Sequence, residues 1–331
     1  MKARQLIETL ESLLDQPWAV FLWGPPGVGK SAVVRSVAEK HGLPVLDLRA
    51  SLLDPTDLRG IPAVQNGEAI WCPPSFLPKP EDKPGILFLD EINAAPPIVQ
   101  ASMYQLVLDR RVGEYVLPDG WKLIAAGNRR EDRAVTYRLS TALANRFIHL
   151  TLEADAASWV SWAESAGIHP AVCNFIRIRP ALIWHATDEE TAFASPRSWA
   201  MASDVLRLVR KKQALKETLG GIIGRGPAAE FMAFLASSLS EAELEALLDD
   251  PAHVQLPTEP DRLWMLISWL IARSDDEKIL KAAGVLASRL PAEIAFVMVR
   301  GIGRRRSDFL RMPPAAAFLK TEGRRLLQEC A

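Results

Sequence analysis

The chain has 331 residues, 24% of them charged and 49% hydrophobic, with a net charge of −1 at neutral pH. That is enough for one large or two medium globular domains, and too near neutrality for global attraction to nucleic acid or an anionic membrane. The three cysteines, Cys72, Cys173 and Cys330, are scattered without a C-x-x-C pair. They suggest neither a zinc site nor a disulfide framework, and they fit a reducing cytoplasm.

In chain order, MKARQLIETLESLLDQ sets apolar residues among charges at helical spacing. It predicts an amphipathic helix, not a signal peptide, which needs an unbroken apolar run. WAVFLW (18–23) reads as a strand that runs into GPPGVGKS, and a helix is expected over Lys30–Lys40. A second strand, LPVLDLRA (43–50), precedes a proline- and glycine-rich stretch over 54–80 with an Asn66–Gly67 turn signal, read as an inserted hairpin or loop. GILFLDE (85–91) is the third strand, and Pro97 suits the first position of a helix reaching Arg110. Within RRVGEYVLPDGWKL (110–123), EYVL and WKLI flank the turn Pro118-Asp119-Gly120, which predicts a hairpin directly before the core strand WKLIAAGN (121–128). A helix over Leu139–Asn145 and the strand RFIHLTL (146–152) complete an alternation that predicts an α/β fold with a parallel sheet flanked by helices.

Strand signals stop there, and residues 153–331 carry helical spacing with no repeat or flexible tether. Two closely packed parts are therefore expected, an α/β part over 1–152 and an all-helical part over 153–331. The apolar run LWMLISWLIA from Leu263 is far too short to span a bilayer and reads as a buried helix.

The chemistry concentrates in the α/β part. Gly24-Pro25-Pro26-Gly27-Val28-Gly29-Lys30-Ser31 fits G-x-x-x-x-G-K-[ST] between a predicted strand and a predicted helix. Glycines let successive N–H groups curl toward phosphate oxygens, and the helix that begins there adds its positive dipole end. Lys30 would reach the β- and γ-phosphates of ATP, while Ser31 would ligate Mg²⁺. The strand ILFLDE ends in adjacent carboxylates that point to opposite sides: Asp90 to hold the magnesium shell, Glu91 to polarise an attacking water. Asn128, at the end of the next strand, is placed to bond that water or the γ-phosphate.

The order GPPGVGKS, LFLDEINAAPP, AAGN, ALANRF and SPRSW resembles the AAA+ ATPases, in particular the MoxR branch with its CbbQ and NorQ activators. LLDPTDLRGIP followed by WCPPSFLP also resembles the insertion of that branch after its second strand. The resemblance spans roughly 18 to 200 and implies a P-loop core followed by a helical lid. It makes Lys30 and Ser31 Walker A, Asp90 and Glu91 Walker B, and Asn128 sensor 1. Arg146 becomes the arginine finger acting on a neighbouring subunit's nucleotide, with Arg133 and Arg138 as rivals, and Arg197 becomes sensor 2. It further implies a homo-oligomeric ring, expected to be a hexamer, that hydrolyses ATP to remodel, activate or mature a client protein. A partner with a von Willebrand factor A domain is expected from the resemblance alone.

Two alternatives remain open: a nucleic-acid-stimulated translocase, and a scaffold that binds ATP but turns over slowly. The inserts carry little positive charge, which argues against a phosphate-tracking channel. The basic stretch RGIGRRRSDFLR (300–311) reads as a solvated or intersubunit face before a nucleic-acid contact. The five histidines lack ligand spacing and read as structural, and core packing is expected of the ten tryptophans.

Overall fold

The computed structural model describes residues 1–132, 137–187, 191–237 and 239–323, so Arg133 and Cys330 lie outside the described residues. The chain divides into two compact units, Met1–Asp155 and Ala156–Ala331.

The first unit opens with α1 (Ala3–Leu13), whose Leu6 and Leu10 are buried. There follow β1 (Ala19–Trp23), α2 (Lys30–Lys40), β2 (Val45–Arg49), α3 (Pro55–Arg59), β3 (Ile61–Gln65), β4 (Glu68–Cys72) and β5 (Ile86–Asp90). Next come α4 (Pro97–Asp109), β6 (Arg111–Val112), β7 (Tyr115–Val116), β8 (Lys122–Gly127), α5 (Thr141–Ala144) and β9 (Phe147–Thr151). The main sheet has the order β2-β5-β8-β1-β9, and every pairing in it is parallel.

Alternate side chains of each strand point to opposite faces, so the sheet builds two cores. Phe21, Leu87, Leu89, Leu123 and Ala125 meet Val99, Met103 and Leu106 of α4 on one side. Val20, Leu22, Ile86, Phe88, Ile124 and Ala126 meet α1 and α2 on the other, through Leu6, Leu10, Val34 and Val37. Both faces are covered, as an all-parallel sheet requires. This is the expected α/β fold with a phosphate-type loop after its first strand. Strand order reverses beside β1, and an open α/β sheet places its crevice at the carboxyl ends of the strands there.

The 54–80 stretch contains the hairpin β3–β4, closed by Asn66 and Gly67 at φ 53° and 84°. Both central residues are left-handed, which an Asn-Gly turn supplies cheaply. The second hairpin differs from expectation. Tyr115–Val116 pairs back onto Arg111–Val112 across a turn containing Gly113 and Glu114, not across Pro118–Gly120 onto WKLI. Lys122 to Ala125 are instead taken by parallel pairing with β5, which leaves nothing for EYVL to pair with on that side. Gly120 (φ 82°) only redirects the chain into β8.

The second unit contains α6 (Ala156–Ser165), α7 (Pro170–Ile178), α8 (Pro196–Leu208), α9 (Lys212–Ile223) and α10 (Arg225–Ala236). It continues with α11 (Glu241–Asp249), α12 (Pro260–Ala272), α13 (Glu277–Leu286), α14 (Ala292–Arg305) and α15 (Pro313–Phe318). Among its described residues the one extended pairing is the bridge His185–Ala194. Phe175, Trp199, Phe231 and Phe234 pack, mostly tilted or edge to face, into an aromatic centre, and α12 buries Leu266, Ile267 and Leu270 beside Leu280 and Met298. No helix among the described residues is long and apolar enough to cross a membrane. The tryptophans are not uniformly core: Trp199 and Trp159 are buried, whereas Trp18 and Trp162 are more than half exposed.

Candidate active site

The loop between β1 and α2 turns on Gly27 (φ 76°) and Gly29 (φ 108°), angles that only glycine adopts without strain. Gly24 is required for a different reason: a Cβ there would lie 2.7 Å from the carbonyl oxygen of Leu152. The loop brings Lys30 back over its own start. The Lys30 ammonium donates to the carbonyl oxygens of Gly24 (2.6 Å) and Pro25 (3.2 Å), and to Asn128 Oδ1 at 2.7 Å. Residues 98 apart in sequence meet because β8 lies directly beside β1.

Ser31 Oγ donates to Asp90 Oδ2 at 3.1 Å, across the carboxyl ends of the sheet. Asp90 Oδ1 accepts from the Glu91 N–H at 2.9 Å. Burial raises the Asp90 carboxyl above its ordinary value, against the opposing pull of Ser31, the Glu91 amide and the Lys30 charge. A half-buried hydroxyl and carboxylate in contact form a hard oxygen pair of the kind Mg²⁺ takes, so the donor set fits the ion that the sequence implied.

Glu91 sits at φ 56°, a left-handed conformation uncommon for residues other than glycine, asparagine and aspartate. This kink turns its side chain to β2's end, where Ser51 Oγ donates to Glu91 Oε2 at 2.6 Å. The carboxylate predicted to polarise water is therefore held by a hydroxyl 40 residues earlier in the chain.

Asn93 was not foreseen. It is buried, and its Nδ2 donates to the Asn128 carbonyl at 2.6 Å while its backbone carbonyl accepts from the Tyr137 N–H. The Asn93 amide also explains Gly127, where a Cβ would lie 2.3 Å from Asn93 Oδ1. Asn93 thus fixes the backbone that carries Asn128. The only sequence signal was an asparagine two residues after the carboxylate pair, in a stretch otherwise apolar.

The arginines separate by their partners. Arg129 is folded onto buried Asp132, with contacts of 3.1 and 3.0 Å that hold its guanidinium above the usual range. Arg138 and Arg146 are exposed, and among the described residues neither side chain has a partner; Arg146 lies just before β9. Arg197 belongs to the second unit, exposed in the first turn of α8 behind the Ser195 cap. The basic stretch near 300 spends its charge locally: Arg300 and Arg304 on Glu164, Arg305 on Asp275, Arg306 on Glu277 and Asp308.

No group of three or more metal-binding side chains occurs among the described residues. Two of the histidines make structural contacts. His149 joins Trp23 Nε1 (2.8 Å) to the Ala144 carbonyl, and half-buried His169 accepts the Ala171 N–H and has its pKa pushed down to about 4 by desolvation and by nearby Arg207 and Arg305.

Comparison with solved structures finds a RuvB variant from Thermotoga maritima at 17% identity and TM-score 0.42, covering 76% of this chain and 75% of that one. NtrX from Brucella abortus in complex with ADP matches at 17% identity and TM-score 0.42, over 97% of this chain and 68% of that one. The fold follows from the sheet order β2-β5-β8-β1-β9 and the glycine loop after β1. No curated protein is significantly similar in sequence. The stretch that holds Gly24, Lys30, Asp90 and Asn128 matches, over residues 19–147, the family model of the AAA domain (dynein-related subfamily), and ATPase-type chemistry is the activity this match supports.

Proposed function

We propose that the chain is a MoxR-type AAA+ ATPase that hydrolyses ATP in a homo-oligomeric ring and uses the work to remodel or mature a client protein. The observation that carries the ATPase part is the convergence of Lys30, Asn128, Ser31 and Asp90 at the ends of β1, β8 and β5. Lys30 exchanges its carbonyl partners for β- and γ-phosphate oxygens. Ser31 and Asp90 would hold Mg²⁺, which would offset charge on those oxygens.

Glu91 leaves Ser51, accepts a proton from the attacking water, and the water oxygen forms its bond to the γ-phosphorus. The bond to the bridging oxygen breaks, and its electron pair leaves with ADP. Asn128 orients the water from a backbone held by Asn93. Arg146, exposed and unpaired among the described residues, enters a neighbour's site as the finger, a contribution worth about 10³–10⁵ in rate in related systems. Arg197 takes the sensor 2 role, on the strength of the sequence resemblance.

The MoxR assignment, the client and a von Willebrand factor A partner are supported by the sequence resemblance. The first hairpin supplies a candidate client surface: Ile61, Val64 and Trp71 are exposed, as is Phe76 just after it, and the Trp71 N–H donates to Glu114 of the second hairpin at 3.2 Å, tying the two hairpins together.

The test mixes Glu91→Gln subunits with Arg146→Ala subunits. Each variant alone should lose at least ~10²-fold in turnover, and mixed rings should regain activity because one interface in the mixture keeps both groups. Mixed rings that form without regaining activity would refute the trans finger. Stimulation of the wild type by DNA that fades with salt would favour the translocase instead.

A further inference from the structure

Helix α10 buries Pro227, Ala228, Phe231 and Phe234, yet its other side is apolar as well. Ala229, Met232, Ala233 and Ala236, at i, i+3, i+4 and i+7, line a groove of about 500 Å³. Its facing wall is Lys212, Gln213 and Lys216 of α9.

The charge beside this groove is uncompensated. Arg210, Lys211, Lys212 and Lys216 are exposed, and among the described residues none of their side chains has an ion pair or hydrogen bond. The nearby acids are fewer than the cations: Glu217, which accepts from the neutral Gln213 at 2.7 Å, and Glu230, which pairs with Arg179 at 3.6 Å. The contrast with α14 is sharp: its Arg300, Arg304 and Arg305, and Arg306 just beyond it, all meet carboxylates.

We propose that the α9–α10 groove docks an acidic amphipathic helix of a partner protein. The floor repeats at helical spacing over about two turns, roughly 10 Å, which suits a helix laid along it. Met232 adapts to varied apolar side chains, and the small alanines let a partner backbone come close. Lys212 and Lys216 stand one turn apart, the spacing of carboxylates on a facing helix. A polyanion without apolar side chains would satisfy the cations but leave the floor bare, which is why a helix is favoured over nucleic acid. The proposal is independent of nucleotide chemistry and stands or falls without it.

The experiment uses the full chain and a labelled synthetic peptide of about four helical turns, with leucines at helical spacing and glutamates elsewhere, read by fluorescence anisotropy. Saturable binding is expected. Lys212→Glu with Lys216→Glu should weaken it about tenfold or more, and Met232→Asp by a similar factor, with circular dichroism confirming that both variants fold. Lys212→Gln with Lys216→Gln gives a milder pair, expected to fall between. Absence of binding overturns the proposal. So does equal binding of a peptide whose leucines are replaced by serine, or tighter binding of single-stranded DNA or of anionic lipid vesicles that displaces the peptide.

Discussion

Strands β1 and β5 and strands β3 and β4 are all five residues long and all contain large apolar side chains, yet their environments are opposite. AVFLW and ILFLD are buried for four successive residues. In the hairpin, Ile61 is 73% and Val64 81% exposed. Apolar content therefore does not decide burial here; connectivity does. Parallel strands need crossovers, and the crossover helices α2 and α4 arrive to cover both faces. The Asn66-Gly67 turn closes β3 onto β4 at once, with no helix in between to cover either face. A two-stranded hairpin is marginal alone, and this one is pinned at its base. A Cβ on Gly60 would lie 1.9 Å from the Cys72 carbonyl oxygen, and Glu114 holds the Trp71 amide.

The largest effect should come from the core. Phe88, 1% exposed between α1–α2 and the sheet, is expected to cost about 3–5 kcal/mol when changed to alanine. Ile61→Ala should stay within about 0.5 kcal/mol. Urea unfolding of the two variants side by side checks the difference, and equal losses would mean that the hairpin belongs to the core after all.

A smaller effect, of opposite sign, is expected at the edge between core and site. Burial raises the Asp90 carboxyl above 3.8, so the folded state binds that proton more tightly than the unfolded chain does. Above the raised value Asp90 is ionised in both states, and its burial costs stability. As pH falls through that value toward 3.8 the cost disappears. Asp90→Asn should therefore raise the melting temperature at pH 7, and its advantage should shrink as pH approaches 4. Adding ATP and Mg²⁺ should reverse the order, because only the wild type gains the stabilisation of a bound ligand. A variant less stable than wild type without ligand would show that Asp90 is a structural ion and not a residue held for chemistry.

The same contrast explains what was legible in the sequence. The helix expected over Lys30–Lys40 is found at those residues, and the strand runs at 18–23 and 85–91 lose only end residues, because parallel core strands are apolar on both faces. Local turn chemistry also announced itself at Asn66-Gly67. What failed was pairing: nothing in RRVGEYVLPDGWKL says that Tyr115 will choose Val112 while Lys122 is claimed by Ile86, 36 residues away. The Ser51–Glu91 and Asn93–Asn128 contacts were hidden for the same reason. Each exists only once β2 stands beside β5 and β5 beside β8, and strand order is not written in any one strand.

The smallest expected change in stability is the most telling for the hairpin. Ile61→Ser with Val64→Ser removes exposed apolar surface that the folded subunit does not use, so the unfolding midpoint should stay where it is. What covers these side chains then decides the second readout. If they face a client, as the proposed function has it, the assembly's mass in solution is unchanged by the double substitution. If the hairpin instead seals one subunit against the next, the mass falls while the isolated subunit stays equally stable. The mass measurement therefore says whether the exposed apolar side chains of this pinned hairpin meet another copy of the chain.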